Sequence, residues 1–143
     1  MTPKICGRLE IADYLAQGQL AQEQGAGPVY LVSITDPEID QAGDRPQAVY
    51  DFARLNQART LLQSYRDTRD DSGPGLRHVL DLLKFSERIQ DDMRGGRVTP
   101  RIICQCEAGK SRSAAAAMIL SRVIEPDRDP AELHAQLSRQ RPG

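Results

Sequence analysis

Arg101-Ile102-Ile103-Cys104-Gln105-Cys106-Glu107-Ala108-Gly109-Lys110-Ser111-Arg112-Ser113-Ala114-Ala115-Ala116-Ala117 is the stretch that decides the fold. It opens on an apolar run of strand length and ends on four alanines, the strongest helix formers. Residues 101–106 therefore read as a strand and 111–124 as a helix, with a short loop between them. A helix N-terminus presents N–H groups that lack an intrahelical acceptor, together with the positive end of the helix dipole, so such a loop is a ready anion site. Cys106 opens the loop and Arg112 closes it. The field that attracts an anion also stabilises a thiolate, and in such places cysteines titrate at roughly 3.5–7.5 instead of about 8.5. A guanidinium holds two oxygens of a tetrahedral oxyanion in a fork that lysine cannot reproduce. The five intervening residues let the amides of Glu107, Ala108, Gly109, Lys110, Ser111 and Arg112 curl around one dianion, with the nucleophile beneath and the arginine beside it.

The flanking chain alternates strand and helix signals. Residues 4–6 read as a short strand, and Leu9, Ile11, Ala12 and Leu15 as one face of a helix over 8–17. Residues 17–27 are polar and glycine-punctuated, the composition of a solvated connection or a frayed helix end. Val29 to Ile34 is a continuous apolar run, the pattern of a strand buried on both faces, and Thr35-Asp36-Pro37 stops it. Residues 36–46, with three Asp and two Pro, read as a loop. Val49, Phe52 and Ala53 predict a helix, and Leu61 to Tyr65 another strand. After the acidic loop of 67–75, Leu76, Val79, Leu80 and Leu83 give the spacing of a core-facing helix, flanked by Leu82, Phe85 and Ile89 and ending near Met93 before Gly95-Gly96. Pro130 to Leu137 reads as a last short helix. The expectation is one α/β domain over 1–143, a central, mostly parallel sheet of about four to five strands flanked by helices. Ligands of such sheets bind beyond the carboxyl ends of the strands, so Asp67 and Cys106 should open on the same side.

A chain of 143 residues with 39% apolar and 27% charged residues is ordinary for a globular protein. Its formal charge of −1 argues against nucleic-acid binding through bulk electrostatics. The apolar runs are shorter than the roughly 20 residues of a membrane span, and the N-terminus lacks an apolar leader, so the expectation is a cytoplasmic protein without a membrane partner. Three cysteines do not make a disulfide framework, and a reactive thiol fits a reducing compartment.

The loop from Cys106 to Ser113 resembles the signature of the cysteine-dependent protein tyrosine phosphatase superfamily: a cysteine, five residues, an arginine, then Ser or Thr. The Ala-Gly before Lys110 and the Ser-Arg-Ser after it are most similar to the dual-specificity and small bacterial branches. Ile5 followed by a helix, Val32 to Pro37, Tyr65-Arg66-Asp67 and the helix to Phe85 resemble the layout of the small bacterial members, so the resemblance spans most of the chain. Relative to that family the ending, residues 139–143, arrives early, which implies a missing C-terminal segment.

The resemblance implies a phosphatase that hydrolyses phosphate monoesters, phosphotyrosine or dual-specificity, through a cysteinyl-phosphate and without metal or cofactor. Cys106 is then the nucleophile, and Arg112 with the amides of 107–112 stabilises the transferring group. Ser113 hydrogen-bonds the sulfur and helps it leave. An aspartic acid on an upstream loop protonates the leaving oxygen and later activates water. Asp67, Asp70 and Asp71 all qualify; Asp67, directly after the strand and within an aromatic-x-Asp motif, is favoured over Asp70, and the remaining carboxylates read as a solvated turn. Lys110 either favours highly anionic substrates such as phosphoinositides or simply points outward. The expected partner is a phosphorylated protein or another phosphate monoester, and the expected state a monomer.

Gln105 departs from the pattern, since the family usually places histidine before the cysteine. Glutamine donates a hydrogen bond but carries no charge. The alternative is accordingly a weak or inactive phosphate-binding module that keeps the loop. Cys104 shares a strand face with Cys106, and Cys6 stands on a neighbouring strand; each is a candidate redox partner for the nucleophile or a small core residue. His78 and His134 read as surface or structural. Gly109-Lys110-Ser111 does not complete a nucleotide-binding loop, because the first glycine of that pattern would fall at Cys104. Sulfurtransferases and arsenate reductases also use a loop cysteine, but the upstream aspartate loop and the late position of Cys106 fit phosphatases better.

Overall fold

The computed structural model describes residues 1–96 and 99–140. Of the ending on which a missing segment was expected, Arg141, Pro142 and Gly143 lie outside the described residues. The strands are β1 (Lys4–Cys6), β2 (Val29–Thr35), β3 (Thr60–Ser64) and β4 (Arg101–Gln105), and the helices α1 (Ile11–Glu23), α2 (Pro37–Ala42), α3 (Gln47–Leu55), α4 (Leu76–Gly95), α5 (Ser111–Ile124) and α6 (Pro130–Gln140). The chain is an α/β protein whose four strands, in the order β1-β4-β2-β3, pair in parallel throughout.

Alternation along the strands builds two layers. Tyr30, Val32 and Ile34 of β2 and Ile102 and Cys104 of β4 pack with Leu82, Phe85 and Ile89 of α4, with the alanines of α5, and with Leu133 and Leu137 of α6. Val29 and Leu31 of β2 and Ile103 of β4 face the other way, onto Ile11 and Leu15 of α1 and Val49 and Phe52 of α3. β1 is an edge strand, and one glutamine satisfies part of its outer edge. Gln140 Oε1 accepts from the Ile5 N–H at 2.9 Å while its Nε2 donates to the Pro3 carbonyl at 2.9 Å, as a neighbouring strand would.

The expected strands and α5 stand within a residue of where they were read, and four helical readings are corrected. The first helix starts later and runs through the supposed connection to Glu23; its buried face is Ile11, Leu15 and Gly18, and Leu9 is 91% exposed. Gly18 makes that extension possible, because a Cβ there would lie 2.8 Å from Val29 Cγ2. The supposed loop of 36–46 contains α2, which Pro37 starts in its first turn and Gly43 ends at φ 71°. On α4 the core face is Leu82, Phe85, Ser86 and Ile89, whereas Leu76 is 74% and Leu80 46% exposed. The leucines supply two overlapping i, i+3, i+4 patterns, and the sheet selects the one that carries Phe85. The last helix continues three residues past Leu137, to Gln140.

That rotation of α4 is testable in urea unfolding. Ile89→Ala should cost about 2–5 kcal/mol and Leu76→Ala less than about 0.5 kcal/mol; the reverse order would put the core on the other face.

Candidate active site

β4 lies between β1 and β2, so the loop that leaves its carboxyl end is flanked by the ends of both neighbours. The loop backbone rests on the end of β1. Cys106 N–H donates to the Cys6 carbonyl at 3.2 Å, and the Glu107 carbonyl accepts from Arg8 N–H at 3.0 Å. Gly109 turns with φ 71°, and a Cβ there would come within 2.5 Å of Gly7 N and 2.7 Å of the Cys6 carbonyl carbon. Both the left-handed turn and the close approach therefore demand glycine. The loop feeds α5 through Lys110, and no side chain caps that helix, which leaves first-turn amides available to a ligand. Lys110 itself is exposed.

Arg112 is the most constrained charge of the site. Its side chain is 9% exposed, and its Nη1 donates to Asp36 Oδ1 and to the Tyr65 carbonyl, each at 2.7 Å. Both contacts use one terminal nitrogen, so the opposite edge of the guanidinium, Nε with Nη2, faces an incoming oxyanion as a planar two-donor fork. Glu107, the acidic residue inside the loop, is tied back: its Oε1 accepts from Thr35 Oγ1 at 2.5 Å, and its Oε2 lies 3.8 Å from Arg8 Nη1. A dianion in the loop thus meets a partnered carboxylate.

Cys106 is buried, and its Sγ stands 3.2 Å from the fully buried Ser113 Oγ, the pairing that the resemblance implied. Gln105 is also fully buried; its Nε2 donates to the Cys106 carbonyl at 3.1 Å, and its Oε1 accepts from Ser33 Oγ at 2.6 Å. The other two thiols are poorly suited to react. Burial, then the charges of Glu10 and Cys106, push the Cys6 thiol up to about 12, and burial pushes Cys104 higher still. Cys104 and Cys106 share the α4–α6 layer, whereas Cys6 packs in the α1–α3 layer across the sheet. The strand face shared by Cys104 and Cys106 is as expected, and Cys6 is removed from the redox candidates by its side of the sheet.

The acidic loop separates its carboxylates by role. Asp70 Oδ1 accepts from Thr68 Oγ1 and the Ser72 N–H at 2.9 Å and from Ser72 Oγ at 2.5 Å, and these hydrogen bonds, that of the Ser72 hydroxyl foremost, hold it below the usual carboxylate range. It organises the turn as a carboxylate and is a poor proton donor. Asp67 instead borders a cleft of about 200 Å³ together with Tyr65, His78, Ser111 and Arg112. His78 accepts from Gly75 N–H through Nδ1 at 2.9 Å and lies 4.7 Å from the Tyr65 ring, which fits its structural reading. His134 is exposed. A larger cavity, about 600 Å³, lies at the amino ends of β1, β2 and β4 beside Lys4, Tyr14 and Gly18. Size favours that cavity, but in parallel sheets the chemistry sits at the carboxyl ends, and Cys106, Arg112 and Asp67 are gathered there.

Comparison with protein-family models, with curated proteins and with solved structures finds no match for this chain. The site residues that sequence reading missed are Asp36, Ser33, Thr35 and Arg8. Their one sequence signal is position: Ser33, Thr35 and Asp36 close an otherwise apolar strand, and Arg8 follows β1.

Gly109→Ala should disrupt the loop. With a left-handed backbone and a backbone clash, the variant should lose about 1–3 kcal/mol or more in denaturant unfolding and lose oxyanion binding by calorimetry. Native protein treated with iodoacetate should be alkylated at Cys106 ahead of Cys6 and Cys104, as peptide mass mapping would read; labelling that begins at either of the others would contradict the assignment of the reactive thiol.

Proposed function

We propose that this chain is a cysteine-dependent phosphatase acting on phosphate monoesters. The observation that carries the reading is the state of Arg112: one terminal nitrogen is anchored to Asp36 and the Tyr65 carbonyl, and its two-donor edge is left for an oxyanion at a helix N-terminus headed by a buried thiol. The resemblance of residues 106–113 to the phosphatase signature supports the same chemistry.

In the first step the Cys106 thiolate attacks phosphorus, forming an S–P bond as the bond from phosphorus to the leaving oxygen breaks. Asp67 gives its proton to that oxygen. The Nε and Nη2 groups of Arg112 and the loop amides hold the three equatorial oxygens, where charge gathers in a loose transition state. In the second step the Asp67 carboxylate takes a proton from water as the water oxygen attacks phosphorus. The S–P bond breaks, inorganic phosphate leaves, and the thiolate is restored with Ser113 Oγ–H donating to it. Asp67 serves as the acid because Asp70 is committed to its turn. Phosphorylated proteins, phosphotyrosine among them, are the proposed substrates, and the proposed setting is the cytoplasm; among the described residues no helix is long and apolar enough to cross a membrane.

The test is hydrolysis of p-nitrophenyl phosphate, phenyl phosphate and a phosphotyrosine peptide. Cys106→Ser should fall to the uncatalysed background, and Arg112→Lys should lose on the order of 10²–10³ in kcat. Asp67→Asn should lose about 10²–10⁴ on phenyl phosphate, whose leaving group needs the proton, and much less on p-nitrophenyl phosphate. Asp70→Asn should lose less than Asp67→Asn on both. Undiminished turnover by Cys106→Ser would end the phosphatase reading, and phosphate binding without turnover by the wild type would mark a binding module instead.

A further inference from the structure

Arg45 is a buried cation that the mechanism above does not use, 4% exposed at the entrance to α3. Its Nη1 donates to the Ser33 carbonyl at 2.9 Å and to Ser33 Oγ at 3.0 Å, and its Nη2 to the Gln63 carbonyl at 2.9 Å. Its ionic partner is Asp40, whose Oδ1 lies 3.2 Å from Nη2 and whose side chain is 45% exposed. Ser33 stands directly opposite Gln105 in the register of β2 and β4. The contacts therefore run in one line: Arg45 to Ser33 Oγ, Ser33 Oγ to Gln105 Oε1 at 2.6 Å, and Gln105 Nε2 to the Cys106 carbonyl at 3.1 Å.

The direction of that line is fixed at its far end. Arginine carries donors only, so Ser33 Oγ must accept from it, and the single hydroxyl proton is left for Gln105. Gln105 thus turns its oxygen to Ser33 and its NH₂ to the Cys106 carbonyl. Reversed, the amide would set its oxygen against the carbonyl oxygen of Cys106, two acceptors facing each other in a buried site. Because a trans peptide holds its C=O and N–H antiparallel, pinning the Cys106 carbonyl toward Gln105 turns the Glu107 N–H the opposite way.

We propose that Arg45 is a positioning residue of the anion loop: through Ser33 and Gln105 it fixes the Cys106–Glu107 peptide so that the Glu107 amide donates to a bound phosphate. The proposal rests on the phosphatase reading and deepens it. It assigns to a distant cation the orienting task that the residue before the nucleophile cannot perform alone, since an amide is able to bind either way round.

Arg45 also ties β2 to β3, so the experiment must separate positioning from stability. Tungstate, an unreactive tetrahedral dianion, is titrated calorimetrically into wild type, Ser33→Ala, Arg45→Met and Arg45→Lys, with melting temperatures and phenyl phosphate kinetics on the same samples. Ser33→Ala and Arg45→Met should each weaken tungstate binding about tenfold, the share of one well-aimed charge-assisted hydrogen bond. Their kcat should fall more than their KM rises. Arg45→Lys, which keeps a donor-only cation, should recover most of the affinity, and adding Ser33→Ala to Arg45→Met should weaken it no further. If Arg45→Met does not fold, Ser33→Ala decides, since it removes one oxygen atom. Unchanged tungstate affinity in Ser33→Ala, whatever its melting temperature, overturns the proposal, as does an Arg45→Lys that binds no better than Arg45→Met. Wild type that fails to bind tungstate brings down the phosphatase reading and this one together; wild type that binds and turns over beside an unaffected Ser33→Ala brings down this one alone.

Discussion

The anion loop depends on the contact between its backbone and the end of β1. A loop whose amides converge on an empty centre has no reason to hold that shape by itself, since the same amides would gain by bonding to water or to one another. Here the outer side of the loop is committed to the first strand, through the hydrogen bonds of Cys106 to Cys6 and of Arg8 to Glu107 and through the packing of Gly109 on Gly7. What remains uncommitted is the inner side. The two glycines are thus a matched pair: a Cβ on Gly7 would meet the carbonyl groups of Glu107 and Ala108 at 3.1 to 3.2 Å, and one on Gly109 would strike Gly7 in turn.

Charge is arranged with the same economy. The chain holds 20 acidic against 19 basic residues, so anion attraction is a local construction and not a field of the whole molecule. The carboxylates beside the loop have partners: Glu107 has Thr35 and Arg8, and Asp36 has Arg112. Asp36 does two things at once. It lowers the cost of burying a guanidinium, and by binding a single terminal nitrogen it fixes the rotation of the planar group. The Tyr65 carbonyl, bonded to the same nitrogen, links that arrangement to the segment that leads to Asp67.

Much of this was legible in the sequence, and the limits have physical causes. The strand, loop and helix of 101–124 were readable because apolar run, glycine, arginine and alanines each favour the same local structure. α2 was hidden because its helix signals, Pro37 in the first turn and Gly43 past the end, are also loop signals. The face of α4 was misread because leucines ring that helix, and only the tertiary partner selects among them. Cys106, Arg112 and Ser113 were found because their spacing is local. Asp36, Ser33 and Arg45 were not, because what makes them part of the site is the placing of β4 beside β2, a pairing between segments some seventy residues apart.

The alternation of β4 explains why the site reaches so far back into the protein. Cys104 and Cys106 face the α4–α6 layer, so Gln105 between them must face the α1–α3 layer, which is otherwise apolar at that depth. A polar side chain there costs a few kcal/mol unless it is satisfied within the protein. Ser33, across the sheet in exact register, supplies the first partner, and its own remaining acceptor capacity is met by Arg45. Arg45 in turn meets Asp40, which is half exposed and closes the chain at solvent. The residue before the nucleophile is therefore the inner end of a continuous polar path from the surface. With a neutral amide at that inner end, the positive charge of the path sits two side chains away, at Arg45, and what reaches the loop from it is hydrogen-bond direction.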